Sequence, residues 1–147
     1  MTGSSVEQAI RSLYANGVPV RRRAWPEGEY VRLPDFEYYD PVVQDGSAFQ
    51  PDQMDLLIED WVTVTGEPME VQENYKNGFY AAMRFVYATG KPVSIDIWDS
   101  NTWVFIPEGV DGVLYMREME DGMPFTEKYI PSRDDYLSDR WRPQVFK

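Results

Sequence analysis

Three consecutive arginines, Arg21, Arg22 and Arg23, stand just before Trp25, and Tyr30 follows shortly after. Guanidinium forks grip phosphate or carboxylate oxygens in pairs, and flat rings stack on nucleobases, at roughly 1–3 kcal/mol per base. Together these groups suit a nucleotide. The same residues also allow a purely structural use. An arginine on a core-facing strand position must be paired, and Asp55 and Asp60 are the acids to pair it. Tryptophan, likewise, commonly fills an interface. Several other chemistries are closed. The chain has no histidine and no cysteine, so a Ser/His/Asp set, a Cys/His set and a thiolate metal site are all excluded. No glycine-rich phosphate loop of standard spacing occurs. Asp134, Asp135 and Asp139 lack the alternating acids and central glycine of a calcium loop, and read as a solvated face. Nothing singles out a carboxylate pair for hydrolysis.

The stretch that carries these residues is written twice. Gly17-Val-Pro-Val-Arg-Arg-Arg-Ala-Trp25 returns as Gly90-Lys-Pro-Val-Ser-Ile-Asp-Ile-Trp98 at a constant offset of 73 residues. The offset also joins Tyr14 to Tyr87, Tyr30 to Trp103 and Pro34 to Pro107. A second echo, Pro51 to Trp61 against Pro131 to Trp141, runs at an offset of 80, so the later copy carries a net insertion of seven residues. Fixed-period similarity of this kind implies a repeated structural unit. We read a first module over 1–65, a linker over 66–74 and a second, diverged module over 75–147.

Each module has the same expected order. Ser4 and Glu7 fit a capping box, and apolar residues at helical spacing run to the left-handed stop at Gly17. The twin helix covers about 75–88. Strands follow over 18–24 and 93–97, then over 29–33 and 102–106. Period two places Arg22 with Val18 and Val20, and puts Trp25 with Arg21 and Arg23 on the other face. After Pro34 the copies diverge. A loose hairpin is expected over 36–50 and a clearer one, turning at Asp121-Gly122, over 113–129. Short helices over 52–59 and 132–138 lead to closing strands at Trp61 and Trp141. The fold class is α+β: two tandem copies of a small module (N-terminal helix, antiparallel sheet, short helix, closing strand) packed as a pseudo-dimer.

Composition sets the remaining bounds. A chain of 147 residues with 43% hydrophobic side chains is long enough for a real core, whereas each half alone would be marginal. The net charge is −11, with −9 on residues 1–73 and −2 on residues 74–147. An acidic protein with one arginine island does not bind nucleic acid by bulk electrostatics. No signal peptide and no apolar span long enough for a membrane is visible, which points to the cytoplasm.

The first module resembles the Thoeris anti-defence 2 family, small phage proteins long classed as a domain of unknown function. The family pattern is an amphipathic helix, a glycine, V-x-R-x-x-W, a hydrophobic strand, and S-x-x-D-x-x-x-x-D-W. Here Val20, Arg22 and Trp25 fit the first motif, and Asp52, Asp55, Asp60 and Trp61 fit the last, with Asp52 in place of serine. The likeness covers most of residues 5–64. In the second module Trp98, Ser132, Asp135 and Trp141 fit, but Ile95 replaces the arginine and Arg140 the second aspartate.

The resemblance implies a molecular sponge that sequesters a cyclic ADP-ribose-type immune signal, or a cyclic dinucleotide, without cleaving it. It implies pockets between subunits, no cofactor and no catalysis. It also allows a homodimer of the two-module chain. The ligand-binding residues expected on these grounds are Arg22, Trp25 and Tyr30, with Arg21 and Arg23 as phosphate contacts. Trp98 and Trp103 are their second-module counterparts, and Asp55 and Asp60 cap or orient the closing turn. An acidic interaction protein that inhibits a host defence protein by direct binding is the alternative.

Overall fold

The first helix, α1 (Val6–Asn16), is capped by Ser5 and not by Ser4. The Gln8 amide donates to the Ser5 hydroxyl at 3.2 Å, and the Gln8 carboxamide accepts from the Ser5 amide at 2.9 Å. Ser4 is taken up elsewhere, exchanging two backbone hydrogen bonds of 3.0 Å with Trp61. The structure, a computed structural model, describes residues 4–34, 39–66, 69, 73–98, 101–107, 112–120 and 122–144. Much of the expected linker over 66–74, the start of the first hairpin over 36–38, the turn residues 99–100 and residue 121 lie outside the described residues.

After α1 the chain runs β1 (Val20–Arg22), β2 (Val31–Arg32), β3 (Val42–Val43), α2 (Gln53–Leu57) and β4 (Trp61–Thr63). It continues with α3 (Phe79–Thr89), β5 (Val93–Ile95), β6 (Thr102–Phe105), β7 (Tyr115–Glu120), β8 (Met123–Lys128), α4 (Arg133–Leu137) and β9 (Trp141–Pro143). The fold is therefore α+β, with four helices and two antiparallel sheets among the described residues. One sheet has the order β3-β2-β1-β4 and the other β8-β7-β6-β5-β9.

The pairings repeat to the residue. Val20 opposes Val31 and Thr63, while Val93 opposes Val104 and Pro143. Arg22 opposes Trp61 just as Ile95 opposes Trp141. The correspondence also continues past Pro34, where the sequence suggested divergence. Val31 pairs Val43 and Val104 pairs Met116, still 73 residues apart. The Phe49 amide donates to the Pro41 carbonyl at 3.1 Å, and the Tyr129 amide to the Leu114 carbonyl at 3.0 Å. The seven extra residues thus sit at a hairpin tip. In the first half that hairpin is a stub closed by the single bridge Val42–Ala48, and in the second it grows into β7 and β8.

Both long helices stop the same way. Gly17 and Gly90 adopt φ of 75° and 71°, a left-handed conformation that glycine enters without steric cost, and each amide donates back into the last turn at 2.8 Å. The short helices carry matching capping boxes, Asp52 with Asp55 and Ser132 with Asp135. α1 packs on α4 and α3 packs on α2, so each long helix lies against the other half's short helix. One buried cluster runs from Val6, Ile10 and Leu13 through Trp61 and Phe79 to Tyr136 and Trp141.

Glu7 is fully buried, with no exposed surface, and does not reach back to its own N-cap. It accepts from the Tyr75 amide at 2.9 Å and the Tyr80 amide at 3.0 Å. Arg11 lies beside it at 3.4 Å. The N-cap of α3 is Gly78, which has no side chain to cap with, and a Cβ there would collide with the Glu7 carboxylate. An anion at a helix N-terminus meets orphan N–H groups and the positive end of the dipole. One half thereby caps the other's long helix.

Candidate functional site

β1 ends at Arg22, and the chain turns: the Trp25 amide donates to the Arg22 carbonyl at 3.1 Å. The turn returns the Trp25 ring to the Arg22 side, correcting the expectation that Trp25 shares a face with Arg21 and Arg23. Period-two alternation holds only while the strand lasts. Trp25 packs edge-on against Trp61 (5.1 Å between ring centroids) and Phe49 (6.1 Å), and its indole N–H donates to Asp55 Oδ1 at 3.3 Å.

Arg22 is 7% exposed and engaged on both sides. Nε and Nη2 fork onto the Asp60 carboxylate at 2.8 and 3.2 Å, and Nη1 donates to Asp55 Oδ1 at 3.1 Å. The Asp60 hydrogen bond, with a further contribution from Asp55, holds the guanidinium pKa above its ordinary value despite burial. Burial raises the Asp55 carboxyl pKa, while its hydrogen bonds with the Asp52 backbone and Arg22 act in the opposite sense. A buried ion cluster of this kind is held together by the completeness of its bonds. Of the two uses open to Arg22 in the sequence, the structure displays the salt bridge.

The other expected residues disperse. Arg21 Nη2 donates to the Trp25 carbonyl, and Arg23 is exposed. The Tyr30 amide donates to the Gln44 side chain at 3.2 Å. Trp103 lies on β6, opposite Arg117 of β7. Trp98 repeats the Trp25 turn, its amide donating to the Ile95 carbonyl at 2.9 Å and its ring meeting Trp141 at 5.3 Å. Asp55 closes the capping box of α2 with Asp52, and Asp55 and Asp60 both pair Arg22.

Two concave sites flank the tryptophans. Trp25 and Asp55 line a cavity of roughly 320 Å³ with Glu29, Gln44 and Phe49. Its counterpart, roughly 480 Å³, is lined by Trp98, Asp135, Met116 and Ile130. None of Arg21, Arg22 and Arg23 lines the Trp25 cavity. The carboxylates of Glu29 and Asp55, with no cation among the lining residues, make it a poor receptor for phosphate.

A third cavity, roughly 310 Å³, lies between the two halves. The first half contributes Gln50, Gln53 and Met54, and the second Tyr87, Gly112 and Lys128. The Tyr87 hydroxyl donates to the Gly112 carbonyl at 2.7 Å, and burial lifts its pKa to about 12, so the phenol stays protonated. Lys128 Nζ donates to the Gln50 carboxamide at 3.4 Å. Gly112 adopts φ of 64°, and a Cβ there would strike the Gln53 side chain. This is a mixed site with one ammonium (Lys128), one carboxylate (Asp52), two carboxamides and the phenol rings of Tyr87 and Tyr129, at the lower end of the range for small-molecule pockets.

The sequence did not mark this group. Tyr14 and Tyr87 echo one another, but their spacing reads equally well as core, and the glutamines belong to no motif. The Tyr14 hydroxyl donates to the Tyr39 carbonyl at 2.6 Å, which matches the Tyr87–Gly112 bond. There, however, Arg133 lies over the Tyr14 ring at 5.5 Å. No family model, curated protein or solved structure matches the chain. Among the described residues no helix is long and apolar enough to cross a membrane.

Proposed function

We propose that the chain binds and holds intact a small nucleotide immune signal of the cyclic ADP-ribose type, as a phage anti-defence protein acting in the host cytoplasm. It is a tandem duplication folded as a pseudo-dimer, with modules over 1–65 and 75–147 joined by 66–74. The matched strand registers and the reciprocal packing of long on short helices support the duplication. The resemblance of Val20-Arg-Arg-Arg-Ala-Trp25 and of Asp52 to Trp61 to the anti-defence motifs supports the ligand class.

The observation that carries the reading is the cavity between the halves. Lys128 supplies an ammonium for an anion, the carboxamides and the Asp52 carboxylate suit the hydrogen-bonding groups of a base or a ribose, and Tyr87 offers a ring. Sequestration needs affinity and no chemistry, in keeping with a chain that has no histidine and no cysteine. To hold nearly all of a signal at about 100 nM free protein, the dissociation constant must be about 1 nM, near −12 kcal/mol.

A ligand-recovery assay tests this. The protein is incubated with a panel of cyclic ADP-ribose isomers and cyclic dinucleotides, free ligand is measured by chromatography, and the protein is then heat-denatured. Ligand that disappears and returns unchanged is the expected result and names the signal. New products would make the protein an enzyme, and ligand that never disappears would overturn the reading.

A further inference from the structure

The insertion in the second half builds something the core does not use. All six residues of β8 are exposed. Two of them are large and apolar, Met123 at 72% and Phe125 at 56% exposure. Register fixes their direction. Phe125 opposes Glu118 and Met123 opposes Glu120, so both side chains lie on the sheet face of Met116 and Glu118. That face continues into the Trp98 cavity, where Ile97 and Ile130 are 69% and 44% exposed.

Among the described residues the corresponding positions of the first half form no such surface. At the positions of Ile97 and Ile130 it carries Ala24 and Gln50, and in place of β8 it has the single bridging residue Ala48. The apolar face therefore belongs to the insertion and to the substitutions around it. Exposed apolar side chains gathered on one rimmed surface mark an interaction site, unlike the same residues scattered singly.

The charges beside it have one sign. Glu118 and Asp135 are the charged residues that line the cavity, and Glu127, opposite Met116, shares the face. β8 is also the last strand of its sheet, leaving an edge to which another strand can add. A second copy of this chain is a poor occupant, because it brings the same carboxylates and the same net charge of −11.

We infer that the β7–β8 face and the Trp98 cavity form a docking surface for an extended segment of a partner protein, one whose apolar side chains are flanked by lysine or arginine. The apolar side chains enter between Ile97, Trp98 and Phe125, the cations meet Glu118 and Glu127, and the segment runs along β8. This surface is separate from the cavity between the halves, and the inference stands whatever that cavity holds.

The test uses the full chain, immobilised, to select from a displayed library of random dodecapeptides. The expected winners carry apolar residues next to lysine or arginine, and bind less well as salt rises. Their affinity falls roughly tenfold or more in Met123→Ser/Phe125→Ser, and also in Glu118→Lys. Met123 and Phe125 make no core contact, so the double variant keeps the wild-type melting temperature. Winners with acidic flanks, or winners held equally by the double variant, would overturn the inference. So would a dimer in sedimentation that the double variant abolishes, or binding of the chain to neutral lipid vesicles.

Discussion

The two halves place the same buried aspartate at the same point and satisfy it by different chemistry. Asp55 and Asp135 each close a capping box, and each gives its carbonyl to the indole N–H of the closing tryptophan at 3.0 Å. In the first half the carboxylate then meets Arg22 and the Trp25 indole. In the second, Ile95 occupies the arginine position, and the Tyr129 hydroxyl donates to Asp135 at 2.7 Å. Tyr129 stands where the first half has Phe49. The charges at the corresponding positions are exchanged: Arg140 stands at the place of Asp60 and Asp96 at that of Arg23, and Arg140 pairs Asp96 at 2.8 Å near the surface. What the fold requires at this corner is a donor for the aspartate. A cation is one way to supply it.

That comparison can be broken most severely at Arg22. Arg22→Ile leaves Asp55 buried without its cation, and Asp60 partly so, and is expected to cost about 3 kcal/mol in denaturant unfolding. An equal stability of variant and wild type would mean that the cluster is ornamental. Next comes Glu7→Gln, which removes the charge from the N-terminus of α3 and from Arg11. It should cost about 2 kcal/mol, and the loss should appear as faster amide exchange in the first turn of α3.

Adding Phe49→Tyr to Arg22→Ile imports the second half's donor and should restore about 1 kcal/mol, while Phe49→Tyr alone should restore nothing. The smallest effect is one of slope. Burial raises the Asp135 carboxyl pKa above 3.8 in the folded state. The folded chain thus keeps this proton over a window in which the unfolded chain has released it. Its stabilising contribution is complete below the ordinary value and is lost as pH rises through the raised one. Asp135→Asn should flatten stability against pH just above the ordinary carboxyl range, and an unchanged slope there would remove Asp135 from the account.

Much of this architecture could be read in the residues, because the signals were local. Gly17 and Gly90 and the repeated Val-x-x-x-x-Trp spacing each act within a few residues of chain, whereas Asp52 and Ser132, expected inside the short helices, are their N-caps. The paired offsets also recur in the strand registers of the described residues. What escaped was set by contacts distant in sequence. Glu7 pairs so naturally with Ser4 as a capping box that its service to Tyr80, 73 residues away, leaves no local trace. The hairpins looked divergent because Met116 stands at the position of Val43, Lys128 at that of Ala48, and seven residues are added at the tip, although the pairing at the base of the hairpin is the same. Trp25 was assigned to the wrong face because β1 ends at Arg22, two residues before the expected strand end, and a turn reverses the side. The cavity between the halves escaped for a related reason, since Gln50, Gln53 and Lys128 become neighbours only when the halves meet.

The central claim is that the cavity between the halves receives the nucleotide. Backbone amide spectra of the isotope-labelled chain, recorded with and without each cyclic ADP-ribose isomer and cyclic dinucleotide, test it most directly. The account predicts saturable shifts at Gln50, Gln53, Tyr87, Gly112 and Lys128, with one ligand leaving the rest of the spectrum nearly unmoved. Shifts confined to Arg21, Arg23 and Trp25 would contradict the placement of the site, and spectra unmoved by every ligand would contradict the function.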